Sequence, residues 1–257
     1  IGTYLQSGDP VAVCCSSPQA TRNYIPVFTE AYYKHVPILA ITFSKHYRFI
    51  GQDYMQAPNQ TSLPMDSVRK SYALPYVANE HDFKHCARLA NESMLELTHR
   101  VPAPIQLNVP MLDTELGQDT VESLPNIKII RRYTQIESAS IELKEKRILI
   151  IVGENRGIDD TKIVEFAKLH NAVIYVNHLS NMRNEFTVEG NLLLTLITQD
   201  KFDETFAPDI LISIGGQTGD YPLYHKLTEG NTSFEHWRIC PSGEVVDTYD
   251  RLTKVFE

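Results

Sequence analysis

Residues 10–43 read PVAVCCSSPQATRNYIPVFTEAYYKHVPILAITF. Two continuous apolar runs, Val11–Cys15 and Pro37–Phe43, lie at either end of a stretch that contains no glycine. An uninterrupted apolar run of this length, bounded by turn residues, is the pattern of a strand covered on both faces. Gly8-Asp9-Pro10 precedes the first run and Ser16-Ser17-Pro18 follows it. Proline suits the first turn of a helix, so a helix is expected over 19–35, with a kink at Pro26. Strand, helix and strand at this spacing predict a βαβ unit with parallel strands.

Beyond this unit, residues 44–64 are rich in Gln, Asn, Pro and Tyr and read as a long irregular loop. Loops of that length in a packed domain are uncommon unless they carry function. A helix is expected over 80–99, with Phe83, Ala87, Ala90, Met94 and Leu97 on one face. Pro104–Val109 alternates as a strand. Residues 111–145 hold Gly117, Pro125 and charges without a sustained period, and mark a connector. A second alternation then begins. Strands are expected at Ile148–Val152, Ala172–Val176 and Asp209–Ile214, with helices near 158–170, 190–199 and 218–228. Ile163, Phe166, Ala167 and His170 share a face of the first. The fold class is therefore α/β, with two parallel-sheet, three-layer domains: 1–115, a linker at 116–145, and 146–257.

The 257 residues, 42% hydrophobic and 22% charged, suffice for two cores without disulfides or structural metal. A net charge of -8 gives no footprint for nucleic acid, where clustered Lys and Arg must replace counterions. No apolar run approaches the roughly 20 residues of a membrane span, and no signal peptide is legible. Four cysteines, irregularly spaced, favour a reduced, cytoplasmic protein. The chain opens without Met and closes on the strand-like Thr253–Glu257, as a segment of a longer protein would.

Few motifs carry chemistry by spacing alone. Gly215-Gly-Gln-Thr-Gly219 follows a strand and precedes a helix, where backbone N–H groups can cradle a phosphate. It lacks the dinucleotide spacing, as does Gly153–Gly157, and tight strand-to-helix turns are the weightier reading of both. Cys14 and Cys15 point to opposite faces of a strand and are expected to be buried thiols. The nine histidines show no zinc spacing, and no metal-binding residue is assigned.

The string Pro10–Pro26, continued by Val27–Phe43 and Ile50-Gly-Gln-Asp-Tyr-Met-Gln56, resembles the pyrimidine-binding domain of thiamine-diphosphate enzymes. Pro104-Ile-Gln-Leu-Asn-Val-Pro110 is similar to the strand that closes that domain. The second domain resembles the central, Rossmann-like domain of the same enzymes. Pro208–Gln217, Pro222-Leu223, Glu235–Gly243, Val121–Pro125 and Arg131-Arg-Tyr133 are similar to one branch, the menaquinone-pathway synthases.

The resemblance implies thiamine diphosphate and Mg²⁺ as cofactors of the whole protein. It also implies decarboxylation of 2-oxoglutarate and addition of the resulting succinyl carbanion to isochorismate. Carried over by position, Lys45 and Gln56 are the substrate-binding residues, and Ser17, Gln19 and Asn23 lie near the cofactor. The family's catalytic Glu is expected upstream of Ile1, and its GDG…N metal motif does not occur, so this polypeptide alone is expected to be inactive. A homodimer or homotetramer acting on small molecules is implied. Two departures bear on substrate. Ser17-Pro18-Gln19 replaces the usual Ser-Gly-Thr, and Ser44-Lys45-His46 stands for Asp-Arg-Pro. Lysine keeps the charge and loses the bidentate fork. A related decarboxylase or carboligase for another 2-oxo acid is one alternative, and a non-catalytic nucleotide-binding or regulatory protein of the same fold is the other.

Overall fold

In the computed structural model, the two apolar runs of the opening stretch pair as parallel neighbours. They form β1 (Val11–Cys15) and β2 (Ile38–Ser44), in register from Val11 opposite Ile38 to Cys15 opposite Thr42. The structure describes residues 1–16, 18–111, 123–135, 139, 141–230 and 233–257. They fall into two units, Ile1–Lys128 and Ile129–Glu257. Much of the linker expected at 116–145, and Ser17, lie outside the described residues.

In the first unit, a short helix α1 (Gly2–Ser7) leads into β1, and α2 (Pro18–Tyr33) joins β1 to β2. Then come β3 (Lys70–Ala73), α3 (Glu80–Glu96) and β4 (Ile105–Pro110). All four strands are parallel, in the order β1-β2-β4-β3. The chain moves one way across the sheet from β1 to β2 and back from β3 to β4. Right-handed crossovers then place α2 and α3 on opposite faces. The cores confirm this with the two-residue period of a strand. Ile38 and Ala40 pack with Phe28 and Ala31 of α2. Leu39 and Ile41 pack with Leu89 and Leu97 on the α3 side.

Four details differ from the sequence-based expectations. First, β1 is not covered on both faces: Ala12 and Cys14 are exposed, because β1 is the sheet edge and α3 packs over β2, β3 and β4. Cys14 is therefore a surface thiol, while Cys15 is buried. Second, α2 runs through Pro26 to Tyr33. Pro26 removes the donor that would serve the Arg22 carbonyl, and both residues are exposed, where water can substitute. Third, α3 ends at Glu96, and its inward stripe is rotated. Met94 is 55% exposed, whereas Leu89, Ser93 and Leu97 face the core. Ser93 is buried because its hydroxyl donates to Ala90 O at 2.8 Å, so a polar residue occupies an inward position. Fourth, β3 carried no periodic signal, being four residues long.

The second unit starts with β5 (Arg131–Tyr133) and continues with β6 (Ile148–Val152), α4 (Asp160–His170), β7 (Val173–Tyr175) and β8 (Thr187–Val188). It then passes through α5 (Asn191–Leu196), α6 (Gln199–Thr205), β9 (Ile210–Ile214), α7 (Tyr221–Thr228), β10 (Glu235–Ile239) and β11 (Leu252–Phe256). The parallel sheet has the order β5-β11-β10-β9-β6-β7-β8. From β6 the chain moves outward to β8, then returns to β9 and moves the other way, so the topology switches between β6 and β9. Alternate residues of β6 again serve two cores. Ile148, Ile150 and Val152 meet Ile163 and Ala167 of α4. Ile151 meets Leu194, Phe202, Leu223 and Leu227 of α5, α6 and α7. Both units thus have helices on both faces of a parallel sheet.

The single helix expected at 190–199 is two. Ile197 is extended, and the Thr198 hydroxyl accepts from Lys201 N to start α6 anew. Other helix ends follow local chemistry. Asn79 caps α3 by accepting from Asp82 N at 3.0 Å, and Asp82 Oδ2 accepts from Ala78 N, one residue before the cap, at 3.0 Å.

Candidate functional site

In parallel α/β sheets, ligands gather outside the carboxyl ends of the strands, where backbones diverge and loops can close over a crevice. Each unit has such an edge.

In the first unit, β2 ends at Ser44 and is followed directly by Lys45, which is half-buried. His46 comes next. Its Nδ1 accepts from Arg48 N at 3.3 Å, starting a one-turn 3-10 helix at Tyr47–Phe49. That bond assigns the proton of the neutral imidazole to Nε2. The ring is held between Tyr47 and Tyr76, with centroids 4.4 and 4.9 Å away. Farther along the loop, Phe49 stacks on Tyr54 at 4.1 Å, and Gln56 is exposed with φ 55°, in the left-handed region. Gln19 and Asn23 are exposed on α2, four residues apart and so on one helix face. Ser17 lies outside the described residues. Among the described residues, no hydrogen bond joins Lys45, Gln56, Gln19 and Asn23 to one another. They occupy the β2 terminus, the loop and the start of α2.

Beneath this rim lies a polar network that was not foreseen. The alternating run Pro104–Val109 forms β4, shifted by one residue, and both of its faces are covered. Gln106 and Asn108 are buried. Gln106 Nε2 donates to Thr42 Oγ1 at 2.9 Å and to Gln60 O at 2.8 Å. Thr42 Oγ1 in turn donates to Asn108 Oδ1 at 3.0 Å, as does Ser44 Oγ at 2.9 Å. Gln60 Nε2 donates to Phe43 O. A sequence signal did exist: Thr42, Ser44, Gln106 and Asn108 all fall on the parity of Ile38 and Ala40, the face turned to α2.

In the second unit, the two glycine motifs meet at the switch between β6 and β9. Gly153 N donates to Ile214 O, Glu154 N to Gln217 O and Gly216 N to Glu154 O, each at 2.9 Å. A Cβ on Gly153 would sit 2.1 Å from Gly216 O. Gly215, at φ 83°, places its missing Cβ 2.7 Å from Glu154 O. The glycines therefore let two strand ends lace together, and the laced N–H groups do not point at a phosphate. Gly157 N and Ile158 N are likewise taken up, by Asn155 Oδ1 at 3.0 and 2.8 Å. Gly153, Gly215 and Gly216 thus serve the tight turns at these strand ends.

A crevice of about 440 Å³ opens at these strand ends, lined by Asp220, Arg238 and Tyr249 among others. Its polar groups are largely engaged within the fold. Asp220 accepts from Tyr175 Oη at 2.5 Å, Asn191 Nδ2 at 3.0 Å and Leu223 N at 3.1 Å. Burial, and then the Asp220 carboxylate, push the Tyr175 hydroxyl well above the usual phenol range. Tyr249 is pushed up to about 12 by the same two causes. Arg238 Nη2 donates to Gly215 O at 2.9 Å. Ser213 Oγ lies 2.7 Å from His236 Nε2, but His236 Nδ1 is 3.9 Å from Asp247 Oδ1, beyond a hydrogen bond. Asp247 Oδ1 instead accepts from Arg251 N and Leu252 N at 2.8 Å. The Ser213–His236 contact is buried. Among the described residues, no group of three His, Cys, Asp or Glu side chains is placed to hold a metal ion.

No family model matches the chain. Among curated proteins, it is 32% identical to the 2-succinyl-5-enolpyruvyl-6-hydroxy-3-cyclohexene-1-carboxylate synthase of Bacteroides thetaiotaomicron, over 100% of this chain and 48% of that protein. The synthase of the same name from Phocaeicola vulgatus is 32% identical over the same shares. A solved benzoylformate decarboxylase from Polynucleobacter necessarius is 12% identical, covering 96% of this chain and 47% of that one. Its TM-score is 0.35. The chain spans about half the length of the curated relatives it matches. Along its whole length, then, this chain is similar to about half of the 2-succinyl-5-enolpyruvyl-6-hydroxy-3-cyclohexene-1-carboxylate synthases.

Proposed function

We propose that the chain supplies the pyrimidine-side and central domains of a thiamine-diphosphate-dependent carboligase. This enzyme decarboxylates 2-oxoglutarate and adds the succinyl unit to isochorismate in menaquinone biosynthesis. The observation that carries this reading is the 32% identity to synthases of that name over the entire chain. The domains are drawn at 1–115 and 146–257 with a linker at 116–145. The active protein is a cytoplasmic homodimer or homotetramer; the four free cysteines agree with a reducing compartment.

Thiamine diphosphate, when bound, supplies the electron sink for loss of CO₂ from a 2-oxo acid. Within this chain, Gln19 and Asn23 offer neutral, exposed hydrogen-bonding groups on one helix face, suited to the polar edge of an uncharged heteroaromatic ring. Ser17 is assigned to the same neighbourhood by position alone. Mg²⁺ and the diphosphate end are assigned to the metal-binding domain that the resemblance implies for the whole protein. Lys45 draws the distal carboxylate of the substrate as a point charge at the β2 terminus, where an arginine would have clamped it with two parallel bonds. Gln56 donates an amide hydrogen to the substrate and helps fix its orientation, the contribution that turns a collision into a positioned reaction.

The test is incubation of the complete gene product with thiamine diphosphate, Mg²⁺, 2-oxoglutarate and isochorismate, with CO₂ and the carboligation product measured. Both are expected. Release of CO₂ from another 2-oxo acid but not from 2-oxoglutarate would overturn the substrate assignment. No release from any 2-oxo acid would favour a non-catalytic protein of this fold.

A further inference from the structure

We propose that Gln106 is a positioning residue that holds the loop over 45–60, and with it Lys45 and Gln56, in register at the carboxyl edge of the first sheet. The proposal builds on the substrate-side role given above to those two residues.

Gln106 is fully buried near the start of β4, opposite Ala40 of β2. On this face Gln106 sits between an aliphatic and aromatic cluster and the polar side chains of Thr42, Ser44 and Asn108, and an apolar side chain would satisfy burial alone. A buried amide is costly unless its hydrogens are engaged. Both hydrogens of Gln106 are engaged, one within the sheet (Thr42 Oγ1) and one across to the loop (Gln60 O). The loop answers from the other side, since Gln60 Nε2 donates to Phe43 O in β2. The two glutamines thus form a staple between the sheet and a point 17 residues along the chain from Phe43.

The staple is local. Gly51–Gln56 are exposed, whereas Gln60 has no exposed surface. Asn59, the adjacent residue, is tied to α2 through Arg22 Nη2, 2.7 Å from its carbonyl oxygen. Only three residues separate Gln56 from Gln60, so a shift of Gln60 reaches Gln56 with little slack. At the other end, the relay from Gln106 through Thr42 to Asn108, which also receives Ser44, fixes the residue next to Lys45. The network is not tuned for stability alone. Gln60 Oε1 and Gln106 Oε1 are buried with no hydrogen-bond partner, a cost that an aliphatic pair would avoid. What an aliphatic pair could not do is hold one loop position against one sheet position, because apolar packing has no direction.

The test uses Gln106→Leu and Gln60→Met, read by amide hydrogen exchange along the chain and by binding of 2-oxoglutarate. With the staple cut, exchange over 52–60 should rise by about tenfold, the factor for one or two lost hydrogen bonds. Exchange in β2 and α3 should stay within twofold. Affinity for 2-oxoglutarate should fall by a similar factor. If exchange over 52–60 does not change, or rises equally through β2 and α3, the positioning role is refuted and Gln106 is only a core residue. Should Gln106→Leu fail to fold, Gln60→Met leaves the sheet side of the network in place and decides by the same two outcomes. If the unsubstituted protein binds no 2-oxoglutarate, the substrate assignment fails, and the exchange pattern by itself settles whether Gln106 positions the loop.

Discussion

Gly153→Ala is the sharpest test of how the second unit is built. The added methyl would lie 2.1 Å from Gly216 O, 2.9 Å from Gly216 C and 3.1 Å from Gln217 O, all of them backbone atoms. A carbon–oxygen contact relaxes only near 3.2–3.5 Å, so β6 and the β9 turn must separate by about 1 Å. No rotamer can relieve this, because no side chain is in the way. Forced overpacking costs roughly 1–3 kcal/mol. The separation also loosens the three laced hydrogen bonds between the strand ends, worth about 1 kcal/mol each. The sum is about 4–6 kcal/mol. The protein's single tryptophan reports the change, because Trp237 is buried in β10 of the same unit. At a slope of about 2 kcal/mol/M, the urea midpoint followed by tryptophan fluorescence should drop by roughly 2–3 M. Gly2→Ala, where nothing lies within 4 Å of the added methyl, is the control and should be neutral or slightly stabilising. A Gly153→Ala midpoint within 0.3 M of the unsubstituted protein, by rough allowance for the extrapolation, would refute the lacing.

Three further outcomes follow from the packing. Leu97→Ala should destabilise the first unit by about 2–5 kcal/mol and Met94→Ala by under about 0.5 kcal/mol, as read by chemical denaturation; equal losses would mean that α3 is rotated from the position described. Tyr175→Phe leaves Asp220 with two of its three donors in a buried setting, and should cost about 1.5–3 kcal/mol in urea unfolding. Tyr249 has its hydroxyl pushed up to about 12 from 10. A raised folded value means the contribution is fully present below pH 10 and is lost as pH rises towards 12, about 3 kcal/mol in all. Tyr249→Phe should flatten that alkaline loss in denaturation curves taken from pH 9 to 12, and an unchanged slope would exclude Tyr249 as its source.

Legibility followed physical scale. Long apolar runs were unambiguous: Ile148–Val152 is β6 residue for residue, and Pro37–Phe43 is β2 shifted by one. Short strands such as β3, β5 and β8, of four, three and two residues, were not readable, since so few positions show no period. The period of α3 was legible but its phase was not, because Ser93 takes an inward place through a bond to its own helix. Lys45 and Gln56 were reached only through resemblance. The network under them was overlooked because Gln106 and Asn108 look like the wet side of an alternating strand.

By itself the amino-acid sequence pointed to the α/β class, to two α/β units and to the similarity with the 2-succinyl-5-enolpyruvyl-6-hydroxy-3-cyclohexene-1-carboxylate synthases. These depend on hydrophobic period and on residue strings, both local properties. Tertiary structure alone decided which face each residue serves. It exposed Cys14 by leaving β1 at an edge, turned the glycine motifs into laced strand ends, and buried Gln106 against a loop 46 residues away in the chain. Each of these depends on what packs against a residue from elsewhere in the chain, and strand order, not local pattern, brings those partners together.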